Sequence, residues 1–360
     1  MLVRTLSNYQ SIPQSNDQLR IISWNISADY HDKRDPTPDQ RYHWKNRSKY
    51  VLELINQMTA DIICLQEMSP DQAVTIATVL QNQGYSARFL SQTPSDIQAG
   101  LIVDQNEVKS WCGKSNFGLT TKASLALAGK FIGTALIGIF TKGEFKETGR
   151  FWLNENCDDI PCNMDRSLTD KGFGNMNTYR AVLWAKINIG NRIVYVFNSH
   201  YPLSGTTTTR MHCAKLERYQ INAIAGSNFW ISTGDRNFVP DTIDPQIAYD
   251  ALVAGCYDIR DCCNHYGPDI TWLGFSYDKL INNIANDNFT GDYVIDVMIS
   301  NQKAIRSFHH HTAYNPITRR LIDLADGVDD KMGIERYFAS DHAMIGADFD
   351  ITVPVNCNDK

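Results

Sequence analysis

Reactive polar side chains stand at the ends of apolar runs along this chain. Asn25 ends Ile21-Ile22-Ser23-Trp24, Glu67 follows Ile62-Ile63-Cys64-Leu65-Gln66, and His200 ends Val194-Tyr195-Val196-Phe197-Asn198-Ser199. Asp235 and Asn237 follow Trp230-Ile231-Ser232-Thr233-Gly234, Asp296 lies within Val294-Ile295-Asp296-Val297-Met298, and Asp341 and His342 precede the last apolar run. Singly, each is an ordinary turn residue. Together they form a chemical set. Asn25, Glu67 and Asp341 offer only oxygen ligands, which suit a hard cation such as Mg²⁺ or Mn²⁺ rather than zinc. His342 titrates near neutral pH, and a carboxylate can orient its other nitrogen. Asp235 can position a water, and Asn237, His200 and Arg180 can bind phosphate oxygens. A metal, a His/Asp acid–base set and neutral and cationic donors are what in-line phosphoester hydrolysis requires. A charged Asp296 inside an apolar strand is costly without a partner, so a polar site is expected at one sheet edge.

The elements that must position these residues alternate between strands and helices. Strands are expected over residues 19–24, 60–65, 99–103, 149–153, 181–189, 192–199, 229–233, 293–300 and 344–351. Helices are expected over 50–58, 71–82 and 210–226, and Gly190-Asn191 is expected to turn a hairpin. No Pro-, Gly- or Ser-rich linker divides the chain, so a single domain over 19–353 is expected after a polar N-terminal extension, 1–18.

The chain has 360 residues, 34 Lys and Arg against 40 Asp and Glu, a net charge of −6 and 43% hydrophobic residues. Those proportions exclude a collagen-like or disordered chain. The acidic balance argues against bulk phosphate-backbone binding, while leaving room for a local basic cleft. Its nine cysteines include no pair of CxxC motifs, so a zinc ribbon is not expected. Cys157 and Cys162 bracket a polar loop in which they could pair under oxidising conditions. The first residues contain no apolar signal segment, which implies a cytoplasmic protein or one exported without an ordinary N-terminal signal peptide.

Other stretches allow several readings. Residues 123–140 are apolar apart from Lys130 and lie within an expected insertion, 111–149. A packed helix or hairpin, a membrane- or partner-touching element and a transmembrane span are all open. His309-His310-His311 reads as a solvated loop with a metal-binding alternative. Cys262-Cys263 near His265 is a poor zinc geometry. Arg236, between Asp235 and Asn237, is expected either to face solvent or to add charge near the site.

In order, Ser23-Trp24-Asn25, Leu65-Gln66-Glu67, Asn198-Ser199-His200, Gly234-Asp235-Arg236-Asn237, Ile295-Asp296 and Ser340-Asp341-His342 resemble the motifs of the endonuclease/exonuclease/phosphatase superfamily, the deoxyribonuclease-I-like fold. Phe151-Trp152-Leu153-Asn154-Glu155, Tyr179 to Ala185 and Thr271 to Phe275 resemble one bacterial subgroup. The resemblance implies an α/β, four-layer sandwich of two packed mixed β-sheets flanked by helices, with the site at one end. It implies that Asn25 and Glu67 hold Mg²⁺ or Mn²⁺ with Asp341 nearby. It further implies that His342, oriented by Asp296, acts on the phosphate, that Asp235 aligns or deprotonates water, and that Asn237, His200 and Arg180 grip the phosphate. The chain departs from the pattern at Arg236, where the family often has an apolar residue, and at Tyr201-Pro202-Leu203-Ser204-Gly205 after His200. The expected function is a metal-dependent phosphodiesterase, either a nuclease or a general one. The alternatives are a phosphoinositide or sphingomyelin-type lipid phosphoesterase and a catalytically silent binding protein. The expected partners are correspondingly a nucleic acid or a phospholipid headgroup, with membrane or protein contact through 123–140.

Overall fold

Strands that bury both faces read as continuous apolar runs rather than alternating ones. In β1 (Gln18–Asn25), Leu19 and Ile21 enter one core while Ile22 and Trp24 enter another. In β8 (Arg192–His200), Val194 and Val196 enter the core shared with Ile21, while Tyr195 and Phe197 turn the other way. The structure is a computed structural model that describes residues 15, 17–29, 32, 42–92, 101–111, 136–153, 180–202, 209–238, 245–262, 264–266, 271–272, 294–310, 312–315, 320–323 and 337–352.

Three cores define four layers. One lies between an eight-stranded sheet and helices α1 (Trp44–Met58) and α2 (Pro70–Gln81). The second lies between that sheet and a six-stranded one. The third lies between the six-stranded sheet and helices α4 (Thr209–Ala225) and α5 (Pro245–Val253). A short α3 (Gln105–Trp111) follows residues 102–104.

The larger sheet runs β11 (His265–Tyr266), β13 (Arg306–His310), β17 (Met344–Asp350), β1, β2 (Ile62–Met68), β5 (Leu136–Thr141), β3 (Ser86–Ser91), β4 (Ile102–Asp104). The smaller runs β10 (Tyr257–Asp258), β12 (Asp296–Ser300), β9 (Trp230–Asp235), β8, β7 (Ala181–Ile189), β6 (Glu144–Trp152). A separate three-stranded sheet joins β15 (Arg320–Asp323), β14 (Thr312–Asn315) and β16 (Tyr337–Phe338). Parallel pairing of β1 with β2 and of β8 with β9 makes both large sheets mixed.

This topology collects the strand ends. β1 and β2 finish at one edge, and β17, antiparallel to β1, begins there. β8 and β9 finish at the corresponding edge of the other sheet, where β12 begins with Asp296 opposite Asp235. Just beneath, two buried amides clamp the sheets together. Gln66 Nε2 donates to Asn198 Oδ1 (2.7 Å), and Asn198 Nδ2 donates to the carbonyls of Leu65 (3.1 Å) and Gly138 (2.9 Å).

At the far end of β1 and β17, Asp348 is fully buried and accepts from Arg20 Nε (2.8 Å), Arg20 Nη2 (3.1 Å) and Arg306 Nε. Removing one member of a buried ion group strands the others without a counter-charge. Asp348→Ala is therefore expected to cost about 3–5 kcal/mol in urea unfolding. An unchanged unfolding midpoint would show that water reaches the two guanidinium groups.

Several expectations need correction. Residues 136–149 are not part of an insertion, because 136–141 form β5, a central strand between β2 and β3, and β6 begins at Glu144. Residues 136–140 of the apolar run are thus sheet core rather than a packed helix, a membrane-touching element or a span. Residues 112–135, including the start of that run, and residues 1–14 lie outside the described residues, as does the Cys157–Cys162 loop. Among the described residues no helix is long and apolar enough to cross a membrane. His309 and His310 are buried in β13 rather than in a solvated loop. Cys262 and His265 each meet the Ser307 hydroxyl, at 2.9 and 2.7 Å.

Candidate active site

Each half of the site is built by the local backbone of its strands. The register of β2 against β5 shifts between Leu65 and Met68, and Glu67 there has φ 53°. Such a bulge re-aims one side chain out of the pleat, here a carboxylate. Left-handed backbone at a non-glycine residue costs energy and recurs at functional sites; Ser27 (φ 57°) and Asn237 (φ 49°) share it. Gly234 has φ 143°, and a Cβ there would lie 1.8 Å from the Ser199 carbonyl oxygen, so only glycine lets β9 deliver Asp235 alongside His200.

The connections beside β1 and β17 are held from below. Arg47, buried in α1, donates to the carbonyls of Ile26, Ser27, Ala339 (3.0 Å) and Tyr42 (2.9 Å). It thereby ties the segment after Asn25 to the segment before Asp341, and burial lowers its own pKa to about 10. Gln72 in α2 donates to the Ser27 carbonyl (3.0 Å) and completes a capping box with Ser69 (2.8 Å). Ser340 Oγ donates to the Asn25 carbonyl (2.6 Å), and Trp24 Nε1 donates to the His342 carbonyl (3.0 Å).

Asp235 Oδ2 is the meeting point. Asn25 Nδ2 donates to it at 2.9 Å, His200 Nε2 lies 3.3 Å away and His342 Nε2 lies 3.8 Å away. The other oxygen, Oδ1, accepts from the Asn237 amide (2.9 Å), while Asn237 Nδ2 donates to the Tyr201 carbonyl (2.8 Å). Burial holds Asp235 far above the usual carboxylate range, up to about 7, with His342 opposing the rise. His342 Nδ1 lies 2.9 Å from Asp296 Oδ2. Burial alone would lower the His342 pKa, but Asp296, Asp341 and Asp235 together raise it well above its ordinary value. These carboxyl groups favour the protonated ring, in which Nδ1–H would donate to Asp296 and Nε2–H would point toward Asp235.

The tautomer of His200 follows from its other neighbour. Arg180 Nη1 lies 2.8 Å from His200 Nδ1, and arginine has only donors, so Nδ1 accepts and the ring proton sits on Nε2. Gln92 Oε1 accepts from the same Arg180 nitrogen (3.2 Å). His200 Nε2–H thus faces Asp235 and, at 3.6 Å, Glu67 Oε1. A protonated nitrogen cannot ligate a metal. Although Glu67, His200 and Asp235 lie close enough to surround an ion, the donors available to one there are oxygens.

The arrangement fits a hard divalent cation. Glu67, Asp235, Asp296 and Asp341 place four carboxyl groups around His342 and near the Arg180 guanidinium in a largely buried setting. The Asp296 Oδ1 atom is buried without a hydrogen-bond partner. Asn25, Glu67, His200, Asp235, Asn237, Asp296 and His342 all converge at this end of the sandwich, with Arg180 behind His200 and Asp341 beside His342.

Arg236 corrects both expectations made for it. It is fully buried and points away from solvent and from the cluster, donating to Glu217 Oε2 (2.6 Å) on α4. Glu217 itself was not read from the sequence, although a signal exists: it lies on the buried stripe of α4 between Cys213 and Ile221, at four-residue spacing. Arg47 carries the same signature, four residues before the buried Val51.

The chain matches the model of the endonuclease/exonuclease/phosphatase family over residues 22–342. It is 27% identical over 344 residues to an uncharacterized protein, R895, of Acanthamoeba polyphaga mimivirus, covering 92% of this chain and 46% of that protein. It is also 27% identical over 146 residues to human Nocturnin, covering 38% of this chain and 33% of that protein. The chain thus spans less than half the length of these curated relatives. Among solved structures, a mannosyl-6-phosphatase of Bacteroides thetaiotaomicron superposes with a TM-score of 0.61 at 18% identity, covering 91% of this chain and 98% of that one. The human Nocturnin catalytic domain superposes with a TM-score of 0.52 at 14% identity, covering 93% and 95%. At those identities the superpositions speak for the fold, which is the four-layer sandwich built above. The family match over nearly the whole chain, together with that fold, identifies the protein as a member of the endonuclease/exonuclease/phosphatase family.

Proposed function

We propose that the protein is a divalent-metal-dependent phosphodiesterase, a nuclease or a more general enzyme, that hydrolyses its ester by in-line attack of water. The observation that carries this reading is the meeting of His342, His200 and Asn25 on one oxygen of Asp235, at the sandwich end where Glu67 emerges. Asn25 and Glu67, with Asp341 beside them, would hold Mg²⁺ or Mn²⁺. When bound, the cation supplies charge to the phosphate oxygens and the leaving group.

The protein's own groups divide the remaining work. Asp235 orients the attacking water and takes its proton, since a carboxylate near pKa 7 is a competent base at neutral pH. His342, fixed by Asp296, presents Nε2–H to the phosphate where negative charge grows. His200 presents its Nε2–H because Arg180 occupies Nδ1, and Asn237 completes the grip on the phosphate.

The lipid-headgroup alternative drew on the apolar run 123–140, and the sheet position of 136–140 removes part of that motive. A hydrolysis panel with Mg²⁺ and with Mn²⁺ tests the proposal: plasmid DNA, single-stranded RNA, nucleotide esters, a sugar phosphate, phosphoinositides and sphingomyelin, each beside a His342→Ala control. Metal-dependent cleavage of a diester that the control lacks is the expected result. No cleavage of any ester with either metal would leave a binding protein on this fold.

A further inference from the structure

Directly behind the cluster, on the side facing α4, lies a second buried charge centre. Glu217 is fully buried in the middle of α4. Its Oε2 accepts from Arg236 Nη1 (2.6 Å), the Tyr201 hydroxyl (2.8 Å) and the Ser199 hydroxyl (3.3 Å), and its Oε1 accepts from the Ser232 hydroxyl. Arg236 also donates from Nη2 to Ser232 Oγ (2.7 Å), and its guanidinium carbon lies 4.9 Å from the centre of the Tyr201 ring.

The identity of these partners is informative. Ser199 and Tyr201 flank His200, and Arg236 stands between Asp235 and Asn237. One carboxylate therefore gathers the neighbours of three site residues, from the ends of two strands. The backbone repeats the link: the Tyr201 amide donates to the Asp235 carbonyl at 2.8 Å. Stability alone accounts poorly for such a centre. A buried ion pair is often matched or exceeded by apolar residues of similar volume, because desolvating two charges offsets their attraction. What the pair adds is directional. Charge-assisted hydrogen bonds fix angles and distances that apolar packing leaves softer.

We propose that Glu217 is a positioning residue for the half of the site on the smaller sheet. Through Arg236, Ser199 and Tyr201 it sets the ends of β8 and β9, and so holds His200 Nε2–H at hydrogen-bonding distance from Asp235. The inference rests on the phosphoesterase reading for its kinetic consequence, though not for its structural one.

Glu217→Gln preserves size and still accepts from the hydroxyls, but it leaves Arg236 without its counter-charge. Kinetics of the folded variant are expected to show kcat about 10²-fold lower, the scale of an ångström-sized misplacement, with KM changed by less than about 3-fold. Selective ¹⁵N-histidine labelling gives a readout independent of hydrolysis. The His200 signals are assigned by their loss in His200→Ala. In the wild-type protein they should show one ring protonated on Nε2, and in Glu217→Gln they should shift or split. Should the single variant fail to fold, Glu217→Gln/Arg236→Met removes both charges and is read the same way. The proposal is overturned if the His200 signals are unchanged, or if they move while kcat stays at wild type. If the wild-type protein hydrolyses nothing in the panel, the phosphoesterase reading fails and the His200 signals alone decide this one.

Discussion

Replacing His342 with alanine is expected to lower kcat by about 10³-fold, within the range for losing a positioned acid–base group or a charge-stabilising donor. The effect is large because the ring combines two properties that no neighbour duplicates. Asp296, Asp341 and Asp235 favour its cationic form against the opposing effect of burial, and its Nε2 faces the Asp235 carboxyl in the site. KM should change much less, since ground-state binding also draws on His200 and Asn237. Asp296→Asn should fall between the wild type and His342→Ala: the ring stays in place but loses the charge that keeps its proton. Circular dichroism spectra and melting temperatures establish that each variant is folded. Near wild-type turnover in folded His342→Ala would place the chemistry elsewhere.

How far this was visible in the sequence depends on how local the responsible forces are. Asn25, Glu67, His200, Asp235 and His342 stand out because a polar residue closing an apolar run marks where a doubly buried strand reaches the edge of its sheet. That contrast lies within a few residues. The same logic located β1, β2, β8 and β9. It failed where the determining partner is distant in sequence. Arg236 looks like a surface arginine until α4 brings Glu217 against it. His309 and His310 look like a polar loop, yet β13 lies between β11 and β17 and buries them. β5 was hidden inside a longer apolar stretch, where composition does not tell an insertion from a central strand. β3, Ser86-Ala87-Arg88-Phe89-Leu90-Ser91, carries too little apolar contrast to stand out, although pairing with β5 and β4 fixes it. Glu217 and Arg47 are a middle case: charged residues at the helical spacing of buried neighbours, legible as anomalies but not as partners.

The other large expected effect concerns cation binding. Glu67→Gln should raise the Mg²⁺ concentration for half-maximal turnover by at least about 100-fold, since changes one shell further from a metal already cost 10–100-fold in affinity. Calorimetric titration of chelator-treated protein should show the same loss without substrate. Few atoms of the cluster are left to bind an ion. The His200 Nε2 carries its proton because Arg180 donates to Nδ1, and His342 has its Nδ1 turned to Asp296 and its protonated form favoured by three carboxyl groups, so both rings are poor ligands. Asn25 donates from its amide nitrogen to Asp235, and its oxygen, the atom that would face the ion, accepts from the Ser27 backbone amide at 3.0 Å. Glu67 is then the carboxylate that the β2 bulge aims outward, and its side chain is only 15% exposed, so its charge is poorly screened. His200→Ala supplies the contrast. If oxygens alone hold the ion, that variant keeps Mg²⁺ affinity near wild type while losing turnover, and Mn²⁺, which also accepts oxygen ligands, substitutes for Mg²⁺ in both proteins. A Glu67→Gln protein that binds Mg²⁺ as tightly as wild type, or a His200→Ala protein that loses it, would move the ion to the imidazole side of the cluster and reverse the assignment of Arg180 as the group that keeps His200 from ligating.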